Sequence, residues 1–357
     1  MNVRSAKQTA AAWVAENRDR WPGLCAAHLV GGITAMPDDA PFPTTKDVDV
    51  HLIFANDSPA LRPEGPFPPI IEESFRGLPI EAGIKPESEY ASAEAILANP
   101  EIAYHLTVDS LLHDPDGWLR GLQDGVRREY PRRRWVCARL DHERRGLAGA
   151  LELRAFAAEA YGASGEAAIL GYPFTFLTAA LFVADLRPPK MGGRMFAHSR
   201  AFLAEHGRLD LHDATLEVLG VRHAARERVE ALLVEAAAAF DRAVVVRRTP
   251  HPFQHKLHAH LRAYFVDCCR GLIADGFHRE ALAWITPYFC ASTGVILADG
   301  DAAEQPGFAV RQDGLLRELG MDTPGARAEK AARLDRLAEQ CFAFADEIVA
   351  VHPGIVD

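Results

Sequence analysis

Residues 47–54 read DVDVHLIF, and the alternation in that octet decides how the rest of the chain is read. Val48, Val50 and Leu52 fall on one side, Asp47, Asp49 and His51 on the other. That is the period-two pattern of a strand buried on one face. Residues two apart on a strand project together, about 6.5–7 Å from each other. Two carboxylates held that way repel, and neither leaves water readily without a cation. A divalent metal resolves the conflict, because magnesium takes hard oxygen ligands and shares its shell with phosphates. His51 is expected to hydrogen-bond a neighbouring carboxylate and is left out of the ligand set.

Working outward, LCAAHLVGG (residues 24–32) is a short apolar strand that runs into Gly31 and Gly32. Two glycines there let the backbone approach a ligand closely, and their N–H groups can cradle phosphates. The loop between them and Asp47, ITAMPDDAPFPTTK, is long and proline-rich and reads as a mobile flap. Residues 5–20 read as an alanine-rich amphipathic helix with Ser5 as N-cap, stopped by Pro22-Gly23. Downstream, a proline-rich linker (residues 59–69) and IIEESFRG lead to LPIEAGIKP. There Ile80, Ala82 and Ile84 alternate with Glu81, Gly83 and Lys85, which predicts a third strand with Glu81 as a third carboxylate. Two Asp and one further acid can hold two metal ions about 3.5–4 Å apart around a phosphoryl centre.

From about residue 105 the pattern turns helical, with the boundary near residues 125–135. The expected class is α+β: a catalytic domain over residues 1–128, with a short mixed or antiparallel sheet and flanking helices, then an all-α bundle over residues 129–357. LEVLG ends at Gly220 and LRELG at Gly320, so the bundle divides at about residues 149–248 and 249–357 if these mark a repeat.

This arrangement resembles the nucleotidyltransferase superfamily, whose members carry a Gly-Gly or Gly-Ser turn, an Asp-x-Asp strand and a distant third acid. Gly31, Gly32, Asp47, Asp49 and Glu81 are the matching residues. The plan is similar to that of the antibiotic nucleotidyltransferases, and SLLHDPDGWLRGLQDGV (residues 110–126) resembles the segment closing their catalytic domain. Position 32 is Gly where many relatives have Ser, which removes a hydroxyl that can touch the β- and γ-phosphates. The resemblance implies magnesium-dependent transfer of a nucleoside monophosphate from an NTP, ATP first among them, to an acceptor hydroxyl. The leading acceptor is a small molecule, aminoglycoside-like or another natural product. The alternatives are a toxin-like enzyme modifying protein or tRNA, and a non-catalytic nucleotide-binding protein.

A formal net charge of −10 over 357 residues disfavours a general polynucleotide binder and suits a polycationic acceptor. Six scattered cysteines, an N-terminus without an apolar core, and no run of roughly 18–20 apolar residues point to a cytoplasmic protein without a membrane span. Lys190 and Arg194, in LRPPKMGGRMF, are candidate contacts for the triphosphate, and Arg132, Arg133 and Arg134 form a local basic cluster. His251, His255, His258 and His260 invite a zinc reading, but no acidic or Cys partner accompanies them, and they are taken as the start of an amphipathic helix. Glu152, Glu159 and Glu166 are candidates for general base.

Overall fold

Five strands form one mixed sheet: β1 (Leu24–Leu29), β2 (Val48–Phe54), β3 (Ile70–Phe75), β4 (Leu78–Pro86) and β5 (Leu111–His113), in the order β3-β4-β2-β1-β5. The pair β2/β4 is parallel and the other neighbours are antiparallel. The computed structural model describes residues 1–62, 69–189, 192–249 and 256–357. Contacts divide the chain into two units, Met1–Arg144 with Ala179–Lys190 and Ala345–Asp357, and Arg145–Thr178 with Met191–Phe344. The sheet belongs to the first. Three strands match the sequence reading, β2 and β4 through their alternation and β1 as a short apolar run; β3 and β5 do not. β3 is an edge strand whose residues are at most half-buried, so its composition does not alternate. β5 is three residues long, inside a stretch that reads as helical.

Each face of the sheet builds its own core. Val48, Val50 and Leu52 of β2 pack with Ala27, Leu29, Ile80 and Ala82 against helix α1 (Val3–Asn17). That helix contributes Val3, Ala6, Ala10, Trp13 and Val14, the spacing of one helical stripe. Its N-cap is Asn2 and not Ser5, because the Asn2 carboxamide oxygen accepts the Ser5 N–H at 2.9 Å. The proline-rich loop is tied down: Val3 and Arg4 donate backbone hydrogen bonds to Ala40 and Asp38, and Phe42 is buried.

Across the sheet, Ala26 and Ile53 pack with α2 (Ala93–Ala98), α3 (Pro100–Ala103) and α4 (Trp118–Glu129). Arg139, on α5 (Arg133–Ala168), is fully buried and donates to the carbonyls of Leu97 (3.0 Å) and Tyr130 (2.9 Å). It thereby satisfies carbonyls at the ends of α2 and α4, which have no partner within their helices. The basic cluster is also structural. Arg132 and Arg134 pair with Glu129 at 3.0 and 2.7 Å, and Arg133 pairs with Asp357 at 2.6 Å.

The second unit is helical. It takes residues from α5, α6 (Tyr172–Ala184) and α13 (Pro324–Val351), together with α7 (Met195–Glu205), α8 (Leu209–Leu219), α9 (Arg226–Val246), α10 (Cys268–Ala274), α11 (His278–Asp299) and α12 (Gln305–Glu318). Contrary to the sequence expectation, α11 is apolar and long enough by composition to cross a membrane, but 67% of its apolar window is buried inside the protein. The two LxxLG ends share one geometry. Gly220 and Gly320 have φ of +80° and +62°, and Val221 and Met321 donate to Leu216 and Leu316 at 2.9 and 2.7 Å. This left-handed cap favours glycine at both places. α5 breaks at Gly162 (φ +63°), and a buried ion pair bridges the break, Arg154 to Glu166, with Arg327 on the other carboxylate oxygen at 2.9 Å.

Candidate active site

The parallel register of β2 and β4 sets Val48 opposite Ile80 and Asp49 opposite Glu81. Residues opposite one another share a face, on strands about 4.8 Å apart, so the pairing that buries Ile80 under one face lifts Glu81 beside Asp49 on the other. Asp47, two residues before Asp49, completes the group. Each of the three half-buried residues offers a carboxylate oxygen within 4.8 Å of the other two. Among the described residues this is the one group of three or more side chains that could hold a metal ion.

The glycine turn closes over these carboxylates. Val30 N–H donates to the Asp49 carbonyl at 2.9 Å, and the chain turns at Gly31 with φ +66°. A Cβ at Gly31 would lie 1.9 Å from Asp49 Oδ2, so the carboxylate rests where any other residue would carry its side chain. The space a Cβ would need at Gly32 ends 3.0 Å from the Lys46 ammonium. Sequence reasoning passed over Lys46. Its one signal is its position immediately before Asp47, at the mouth of the strand.

Beneath the carboxylates lies a buried polar chain whose proton positions the geometry fixes. His28 Nδ1 lies 3.0 Å from the Leu29 carbonyl, which only accepts, so Nδ1 carries the hydrogen and Nε2 accepts from Tyr90 OH at 2.9 Å. The phenol oxygen must then accept from His51 Nδ1–H at 2.8 Å. The bonded partner of His51 is thus a phenol and not a carboxylate. Burial lowers the His28 pKa to about 4 and that of His51 well below its usual value, with His28 as the second cause for His51. Both rings are neutral. At the turn itself, Thr34 Oγ1 donates to the Gly31 carbonyl at 2.9 Å and accepts from His105 Nδ1 at 2.8 Å.

Arg194 belongs to the second unit, where it pairs with Asp275 at 2.6 Å. Lys190, His251 and His255 lie outside the described residues. His258 and His260 stack at 5.2 Å where a helical run begins, a 3-10 turn (Ala259–Leu261) that continues through a π segment (Ala263–Asp267) into α10, so a helix starts there as expected. Of the proposed bases, Glu166 is locked between Arg154 and Arg327, while Glu152 and Glu159 are exposed. Burial and then the charge of Glu101 raise the Glu143 carboxyl to about 8, and burial raises that of Glu89 as well. Comparison of the chain with protein-family models, curated proteins and solved structures finds no match.

Proposed function

We propose that this chain transfers a nucleoside monophosphate from an NTP to a hydroxyl of a small molecule, with magnesium and with release of pyrophosphate. A bond forms between the acceptor oxygen and the α-phosphorus, the α–β anhydride bond breaks, and the hydroxyl proton passes to a base. The observation that carries this reading is the group of Asp47, Asp49 and Glu81, whose carboxylate oxygens lie within 4.8 Å of one another against a glycine turn.

The donor set fits the ion. Oxygens bound to one magnesium at about 2.0–2.1 Å sit about 3 Å apart at neighbouring corners of its octahedron and about 4 Å apart across it, so the three oxygens would draw together on binding one ion. Bound there, magnesium supplies charge neutralisation for a phosphoryl centre. The chain's own part is to hold three carboxylates in register, to keep Asp49 against Gly31, and to leave backbone free for phosphate oxygens at Gly32. A net charge of −10 favours a cationic acceptor, such as an aminoglycoside, over a polynucleotide.

The test is incubation of the protein with each α-labelled NTP and magnesium, alongside an aminoglycoside panel, a cell protein extract and bulk tRNA. Label entering small molecules is the expected result. Discrete labelled protein bands move the acceptor to protein, and labelled tRNA moves it to RNA. No transfer from any NTP, with every acceptor pool present, counts against the enzyme reading.

A further inference from the structure

Lys46 closes the half-turn that begins at Pro43, its N–H donating to the Pro43 carbonyl at 3.2 Å, and its half-buried side chain returns over Gly32. The ammonium and the Asp49 carboxylate rest on adjacent residues, the one 3.0 Å from the Cβ position of Gly32, the other 1.9 Å from that of Gly31. The two Cα atoms are about 3.8 Å apart. One dipeptide thus carries an anion on its first residue and a cation on its second. A Cβ at position 32 would press on the ammonium, which would have to give by a few tenths of an ångström.

Building on the nucleotidyltransferase reading, we propose that Lys46 is a polyphosphate-binding residue, whose ammonium contacts the β- and γ-phosphates at the Gly31-Gly32 turn. The carboxylates attract metal and repel phosphate, so a triphosphate approaching them needs a fixed cation at the phosphate end. An ammonium is a point charge with three donors on a flexible stem, suited to phosphate oxygens whose positions shift along the reaction. Gly32 leaves the ammonium its place. In a chain with Ser at that position the hydroxyl would present the donor; here the donor comes from the loop that leads into β2.

The charge arrangement predicts two effects of opposite sign. Removing the ammonium strips a cation from the turn on which the Asp49 carboxylate rests, so Lys46→Ala should bind Mn²⁺ alone as tightly as the wild type or more tightly. The same variant should bind Mg²⁺–ATP about 10- to 100-fold more weakly, as expected for loss of a charge-assisted hydrogen bond. Mg²⁺–AMP, which lacks the β- and γ-phosphates, should bind alike to both proteins, and Lys46→Arg should recover most of the loss. The experiment is calorimetric titration of wild type, Lys46→Ala and Lys46→Arg with Mn²⁺, Mg²⁺–ATP and Mg²⁺–AMP, repeated with GTP, CTP and UTP. Undiminished Mg²⁺–NTP binding by Lys46→Ala overturns the role of Lys46 and leaves the enzyme reading standing. Equal losses for AMP and ATP, or a loss of Mn²⁺ binding, show a structural role and overturn it as well. If the wild type binds none of the four Mg²⁺–NTPs, the nucleotide reading and this proposal fall together.

Discussion

Replacing Tyr90 with Phe removes one oxygen from the interior and breaks two hydrogen bonds at once. The hydroxyl donates to His28 Nε2 at 2.9 Å and accepts from His51 Nδ1 at 2.8 Å, and Tyr90 and His28 are fully buried. The variant strands an acceptor on one imidazole and a donor on the other, each costing about 1–3 kcal/mol when left buried without a partner. Allowing for partial relaxation, Tyr90→Phe should be about 2–4 kcal/mol less stable, a large share of a typical domain's stability. Urea denaturation near about pH 7.5, followed by far-UV circular dichroism, measures this, with an unchanged slope confirming that the same surface unfolds. In the wild type, ¹⁵N-detected spectra should show both rings as Nδ1–H tautomers. Because the folded His28 pKa is lowered from 6.5 to about 4, its spectrum should stay that of a neutral ring until the pH nears 4. The unfolded ring gains its proton below 6.5 while the folded one refuses it, so the His28 contribution to stability is full above 6.5 and is lost as the pH falls toward 4. A Tyr90→Phe penalty below about 0.5 kcal/mol, within the scatter of ordinary surface changes, or an Nε2–H tautomer at His28, would refute the chain as drawn.

Asp49→Asn should abolish nucleotidyl transfer and weaken Mn²⁺ binding while the thermal midpoint stays close to wild type; full turnover with ordinary metal dependence removes Asp49 from the site. Gly31→Ala sets a methyl 1.9 Å from Asp49 Oδ2 at a residue with φ +66°. A loss of about 1–3 kcal/mol in urea together with weaker Mn²⁺ binding is expected, and unaltered metal affinity would show that the carboxylate need not rest there. For Glu143, the folded carboxyl keeps its proton up to about 8 whereas the unfolded one releases it near 4.5. Its contribution is therefore full below 4.5 and lost as the pH rises to about 8. Glu143→Gln should become progressively more stable than wild type across that interval, by on the order of 2–4 kcal/mol at its upper end; a pH-independent difference contradicts the shift.

What the sequence revealed, it revealed through periodicity. Val48, Val50 and Leu52 announce a strand with a dry face, and that parity puts Asp47 and Asp49 together on the other. Ile80 and Ala82 do the same for Glu81. Lys46 was hidden because its ammonium reaches Gly32 across a loop that carries no period, and Tyr90 because it joins His28 and His51 from 62 and 39 residues away. The ion triad around Glu166 involves Arg327, 161 positions on by sequence number. No local pattern links such partners. Likewise, residues 345–357 fall in the first unit although a linear reading sets them at the far end of the helical part.

The ladder between β2 and β4 acts as a ruler shared by core and chemistry. Seven successive pairs run from Val48–Ile80 to Phe54–Pro86 without a bulge. Adding or deleting a single residue in β4 ahead of Glu81 would turn Glu81 toward α1 and Ile80 toward the carboxylates, because side chains alternate with period two. No variant of that kind could lose the site and keep the core. Inheritance of this strand pair is therefore confined to substitutions, and length variation must gather in the loops on either side of it.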